Sequence, residues 1–172
     1  MTRDRNDREE ARRKDLYRLM LALRKEEGKR PCHMALQLAD RILWYWAELK
    51  VYPLGAALRT GSVRFPQRGK RDSGSERDHV EGRAIIKRRL FQVEEHDVED
   101  LLETGSVMVW VSAGEHRDIA AKRKEGQLTS WDAYRKAGIT SLYVAPGCEL
   151  PDAVCAAAKL AGVEFLKDSA SA

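Results

Sequence analysis

The run "SVMVWVSAGEHRDIAAKRKEG", residues 106–126, changes its hydrophobic period part-way along, and that change constrains the fold more than any other feature. From Ser106 to Val111 the pattern has period two, with Val107, Val109 and Val111 on one face and Met108 and Trp110 on the other, which predicts a β-strand. Ser112 then stands where a helix N-cap belongs, with Glu115 three residues later. This is the capping-box spacing, so a helix should start at once. A strand feeding directly into a helix points to an α+β fold, here a small mixed domain with a helical N-terminal region.

The flanking segments agree. Residues 5–26 are charged and helix-prone, with Leu16, Leu19, Met20 and Leu23 on a stripe of period 3.6. Gly28 to Pro31 breaks this helix. The segment "HMALQLADRILWYWAELKVY" predicts a second helix with Ala35, Leu38, Ala39, Ile42, Tyr45, Trp46 and Leu49 on one broad face and Trp44 off it. Ser62 to Phe65 reads as a short strand limited by Pro66, and residues 67–75 as a basic Gly/Ser-rich loop. Helices are expected over residues 83–91, 97–103 and 130–137, with Gly138 a natural residue to end the last. The tail, "ITSLYVAP" then "LPDAVCAAAKLAG" then "VEFL", reads as a β-α-β unit. It holds neither GxGxxG nor GxxxxGK[ST], so no nucleotide site is expected there. Residues 1–30 are therefore assigned to a charged N-terminal helix and residues 31–172 to a single α+β domain.

Charge adds a partner class. The formal net charge is only +4, but residues 1–90 carry 23 Lys/Arg against 13 Asp/Glu while residues 91–172 carry 8 against 14. A chain polarised in this way steers a polyanion toward one part of itself. No stretch approaches the roughly 18 uncharged apolar residues of a membrane span, and the charged start lacks the apolar core of a signal peptide. Three cysteines, Cys32, Cys148 and Cys155, form no CxxC pair; a reducing, cytoplasmic compartment is expected.

Two stretches combine a strand or turn with an ionisable pair: Asp78–His79, in "SERDHVEG", and Glu115–His116 at the predicted helix start. His33 and His96 lack such settings and are expected at the surface. "ERDHV" followed by "VMVWVSAGEHRDI" resembles the layout of HNH, or His-Me finger, endonucleases, over about residues 76–120. The resemblance implies a ββα-metal core in which Asp78 and His116 ligate one divalent ion (Mg²⁺, Mn²⁺, Ni²⁺ or Zn²⁺). His79 would be the general base that activates water for phosphodiester hydrolysis. Glu115 or Asp118 would supply a further oxygen ligand. Where many members have Pro after the histidine this chain has Glu81–Gly82, and Ala120 stands where many place a second histidine. A degenerate relative fits the same resemblance.

Basic side chains surround this stretch: Arg64, Arg68, Lys70, Arg71 and Arg77 lead into the Asp78–His79 pair, and Arg83, Lys87, Arg88 and Arg89 follow it. They are the expected phosphate contacts for a nucleic acid, DNA in the first instance. Two readings compete with the nuclease. One is a non-catalytic nucleic-acid-binding regulatory protein. The other is a protein-interaction module, joining a partner or a second copy through the N-terminal helices and the Trp44–Tyr45–Trp46 cluster.

Overall fold

The computed structural model describes residues 2–49, 56–65, 74–126 and 131–168. They form seven α-helices and a five-stranded sheet, so the fold class is the mixed α+β expected. The chain divides into two compact units, residues 1–51 with 83–106, and residues 52–82 with 107–172. The expected boundary at residue 30 is not among these divisions. The N-terminal helix shares its unit with the helices that follow, and residues 31–172 are split between the two units.

The first unit is helical: α1 (Thr2–Glu27), α2 (His33–Leu49), α3 (Arg83–Arg89), a 3₁₀ turn (Glu95–Asp97) and α4 (Val98–Gly105). Its core gathers Met20 of α1, Ala35, Ala39, Ile42, Leu43 and Trp46 of α2, and Ile86, Leu90, Phe91, Val98, Leu101 and Leu102. Met20 is fully buried and Leu16 and Leu23 are partly covered, but Leu19, one residue off that line, is 55% exposed. On α2 the buried positions 35, 39, 42, 43 and 46 centre on a narrower stripe than expected. Leu38 and Tyr45 fall on its flank and turn outward at 47% and 52% exposure. Trp46, inside, donates its indole N–H to the Glu103 carboxylate at 3.2 Å. Gly28 takes φ +64° and returns its N–H to the Arg24 carbonyl at 2.8 Å, which ends α1. Gly105 permits close approach, since a Cβ there would lie 2.8 Å from Ile86 Cγ2.

The second unit carries the sheet, in the order β2-β3-β1-β4-β5, built from β1 (Leu58–Arg59), β2 (Ser75–His79), β3 (Met108–Ser112), β4 (Ser141–Val144) and β5 (Glu164–Lys167). Strand β3 pairs antiparallel with β2 and parallel with β1, and Val107 to Val111 are all buried. Helices α5 (Ala113–Gly126), α6 (Trp131–Lys136) and α7 (Asp152–Leu160) complete the unit. The tail forms the expected β-α-β crossover, with β4 parallel to β5. The strand expected over Ser62–Phe65 does not form. Pairing falls instead to Leu58–Arg59, and the following residues curl around the Arg59 guanidinium. That group makes two 3.0 Å bonds to the Asp168 carboxylate, donates to the Val63 carbonyl, and lies over the rings of Phe65 and Tyr143. No helix among the described residues is long and apolar enough to cross a membrane, and all three cysteines are free thiols.

Candidate functional site

The capping box is made. Ser112 donates its N–H and its hydroxyl to Glu115 Oε2, at 2.8 and 2.9 Å, while the Glu115 N–H returns to Ser112 Oγ at 3.2 Å. Thr60 Oγ1 donates to the same carboxylate oxygen at 2.8 Å. Burial raises the Glu115 pKa, but hydrogen bonds from Ser62, Ser112 and Thr60 outweigh it and leave the carboxyl below its ordinary value. One oxygen of Glu115, considered from sequence as a metal ligand, is thus engaged in starting α5.

This start fixes the phase of α5. His116 lies in the first turn and Arg123 two turns further on, on the same side of the helix. The antiparallel β2–β3 pair followed by α5 places Asp78 and His116 together, as expected: His116 Nε2 lies 3.4 Å from Asp78 Oδ1, and Nδ1 lies 2.5 Å from Glu76 Oε2. Glu76 and Asp78 share a strand face because alternate residues do. Arg123 grips Asp78 with both nitrogens, at 2.9 and 2.8 Å, and also reaches the carbonyls of His79 and Val80 at 2.7 and 2.9 Å. Tyr134 of α6 donates its hydroxyl to Asp78 Oδ2 at 2.6 Å.

These groups form a gradient from surface to core. The side chains of Glu76 and His116 are about two-fifths exposed, that of Arg123 is 19% exposed, and that of Asp78 is 5% exposed, while Tyr134 is fully buried. Burial alone would lower the Arg123 pKa, but the hydrogen bond and charge of Asp78 reverse this and leave it raised. For Tyr134 burial and the Asp78 charge act together, and its hydroxyl is held protonated far above the ordinary tyrosine range. The network is an interior anchor with Asp78 at its centre.

A divalent ion does not fit this centre. Both Asp78 oxygens already accept charge-assisted or short bonds, and a guanidinium occupies the position from which a cation would approach. Each nitrogen of the His116 ring faces a carboxylate. Among the described residues no group of three or more His, Cys, Asp or Glu side chains is placed to hold a metal. Asp118, the other oxygen ligand considered, is an exposed residue of α5.

The position of His79 also departs from the expectation. It is the neighbour of Asp78 on β2, so the pleat sends its ring to the opposite face of the sheet, and it is only 8% exposed. It therefore does not stand beside the Asp78–His116 pair as a water-activating base. His33 and His96 are exposed, as expected.

The basic residues divide. Arg64 is exposed, whereas Arg77 is half-buried with its guanidinium 5.8 Å from the centre of the Trp110 ring. Arg68, Lys70 and Arg71 lie outside the described residues. Arg83, Lys87, Arg88 and Arg89 wind around the outside of α3 while Ile86 is fully buried inside it. Two of them, Arg83 and Lys87, line an open groove of about 590 Å³ with Gln37, Asp40, Arg41 and Trp44 of α2.

Sequence reading missed Arg123, Tyr134 and this groove. A signal for Arg123 exists, since it repeats the His116 phase two turns on. Tyr134 has none, because only the tertiary fold brings α6 to β2. For the groove the signal is the spacing 37, 40, 41, 44, a polar-aromatic stripe on the side of α2 away from its core.

No family model, curated protein or solved structure matches the chain.

Proposed function

We propose that the protein is a non-catalytic nucleic-acid-binding protein whose contact face is built on α3. The observation that supports this reading is the distribution of charge on that helix. Arg83, Arg88 and Arg89 are exposed and Lys87 is half-exposed, while Ile86 and Leu90 are fully buried. Four cations within seven residues, held by an anchored helix, present a compact set of donors to successive phosphates. The reading does not include phosphodiester hydrolysis, because the side chains implied for it are either engaged by Arg123 and Tyr134 or turned to the other sheet face. The cytoplasm, where free thiols stay reduced, is the compartment that belongs with it.

Salt dependence tests the assignment. Binding of a fluorescently labelled DNA is followed by anisotropy over a range of salt concentrations. With Lys87→Glu and Arg88→Glu combined, the slope of log K against log salt should flatten by about one to two, one for each phosphate that is no longer neutralised. A slope identical to that of the unmodified protein removes α3 from the contact surface.

A further inference from the structure

The groove between α2 and α3 contains an aromatic side chain as well as cations, and this narrows the kind of nucleic acid that suits it. We infer that the groove is a single-strand site, in which one unpaired base stacks on the Trp44 indole while Arg41, Arg83 and Lys87 hold the adjoining phosphates. The inference rests on the nucleic-acid-binding reading above and specifies it.

The geometry comes from two helix stripes. Gln37, Asp40, Arg41 and Trp44 follow one another at three- and four-residue spacing along α2, and Arg83 and Lys87 do so along α3. The indole is held in place at its edge, where Trp44 Nε1 donates to Glu48 Oε1 at 2.9 Å. The Arg83 guanidinium lies over one face of the ring, 5.7 Å from its centre and 3.6 Å from the Asp40 carboxylate, which leaves the other face for a base. An oriented indole with cations beside it is the arrangement single-strand binders use, because every base has a π-face and every nucleotide a phosphate. In a duplex those faces are covered by neighbouring base pairs, so the indole contributes only to an unstacked strand. Three cations against one carboxylate leave the groove positive. Asp40 and Gln37 add acceptors and donors for a base edge.

The tryptophans make the test direct. Trp46, Trp110 and Trp131 are at most 5% exposed, whereas Trp44 is half-buried at the groove wall. Quenching of intrinsic fluorescence by a short oligonucleotide therefore reports on Trp44. The full chain is titrated with a mixed-sequence DNA strand and, separately, with the duplex of the same sequence at the same salt. The expected result is quenching by the strand, with affinity at least about tenfold above the duplex. Trp44→Ala should weaken strand binding about tenfold or more, and Trp44→Phe, which keeps a ring, should recover most of it. Equal affinity for strand and duplex, or Trp44→Ala binding as tightly as the unmodified chain, overturns the single-strand site. If the Lys87→Glu/Arg88→Glu variant still flattens the salt slope in that case, the basic face stands without the stacking platform. Absence of binding to either DNA overturns both.

Discussion

Truncating Arg123 to alanine tests the network most sharply. Its guanidinium is paired through two short bonds to a carboxylate that is 5% exposed. Removing one partner of a buried ion pair typically costs about 3–5 kcal/mol, because the charge left behind has no compensation. Asp78 would keep the Tyr134 hydroxyl and the edge of His116, so the lower end, about 3 kcal/mol, is expected. The carbonyls of His79 and Val80 would be deprived of their donor as well. For a chain of this size each kcal/mol lowers the midpoint of thermal unfolding by roughly 2–4 °C, so a drop of roughly 6–12 °C follows. Tyr134→Phe, which removes one hydrogen bond to a charged group and no bulk, should cost about 1.5–3 kcal/mol. Thermal and urea unfolding followed by far-ultraviolet circular dichroism measure both. A destabilisation under about 1 kcal/mol for Arg123→Ala would mean that Asp78 is solvated in solution and is not the centre of an interior anchor.

Glu115 should make its contribution pH-dependent. Its folded pKa is depressed, so the stability it adds is fully present above about pH 4.3, the ordinary glutamate value, and fades as pH falls through the folded value. The stability gap between the unmodified chain and Glu115→Gln should therefore be largest near neutrality and close in acid; a gap that widens on acidification would reverse the sign. The fit of the site to metals is equally open to measurement. Millimolar Mn²⁺ or Ni²⁺ should leave the unfolding midpoint unchanged, and a rise of several degrees that disappears in His116→Ala would restore the metal reading.

Much of the second unit was legible from residue pattern. The β3-to-α5 junction was written in period and capping, and the convergence of Asp78 with His116 follows from an antiparallel pair that feeds a helix. What the pattern did not carry was the occupancy of Asp78. A ligand and an ion-pair partner are the same residue in sequence, and only the position of Arg123 distinguishes them. The orientation of His79 was implicit in strand alternation, because adjacent strand residues cannot share a face. In the first unit the buried stripes on α1 and α2 are narrower than the apolar pattern. Leu19, Leu38 and Tyr45 have the right chemistry but sit beyond the arc the neighbouring helices cover. The short β1 strand had no period to display in two residues.

The strand order has a consequence for self-association. Among the described residues the two outermost strands are β2, Ser-Glu-Arg-Asp-His, and β5, Glu-Phe-Leu-Lys. A foreign strand annealing to either rim would have to take water from the charges of Glu76 and Arg77 on β2 or of Glu164 and Lys167 on β5. Fibrous growth by rim-to-rim addition is thereby disfavoured. The apolar run Val107 to Val111 is screened by β1 and β4 on the way to one rim and by the charged β2 at the other.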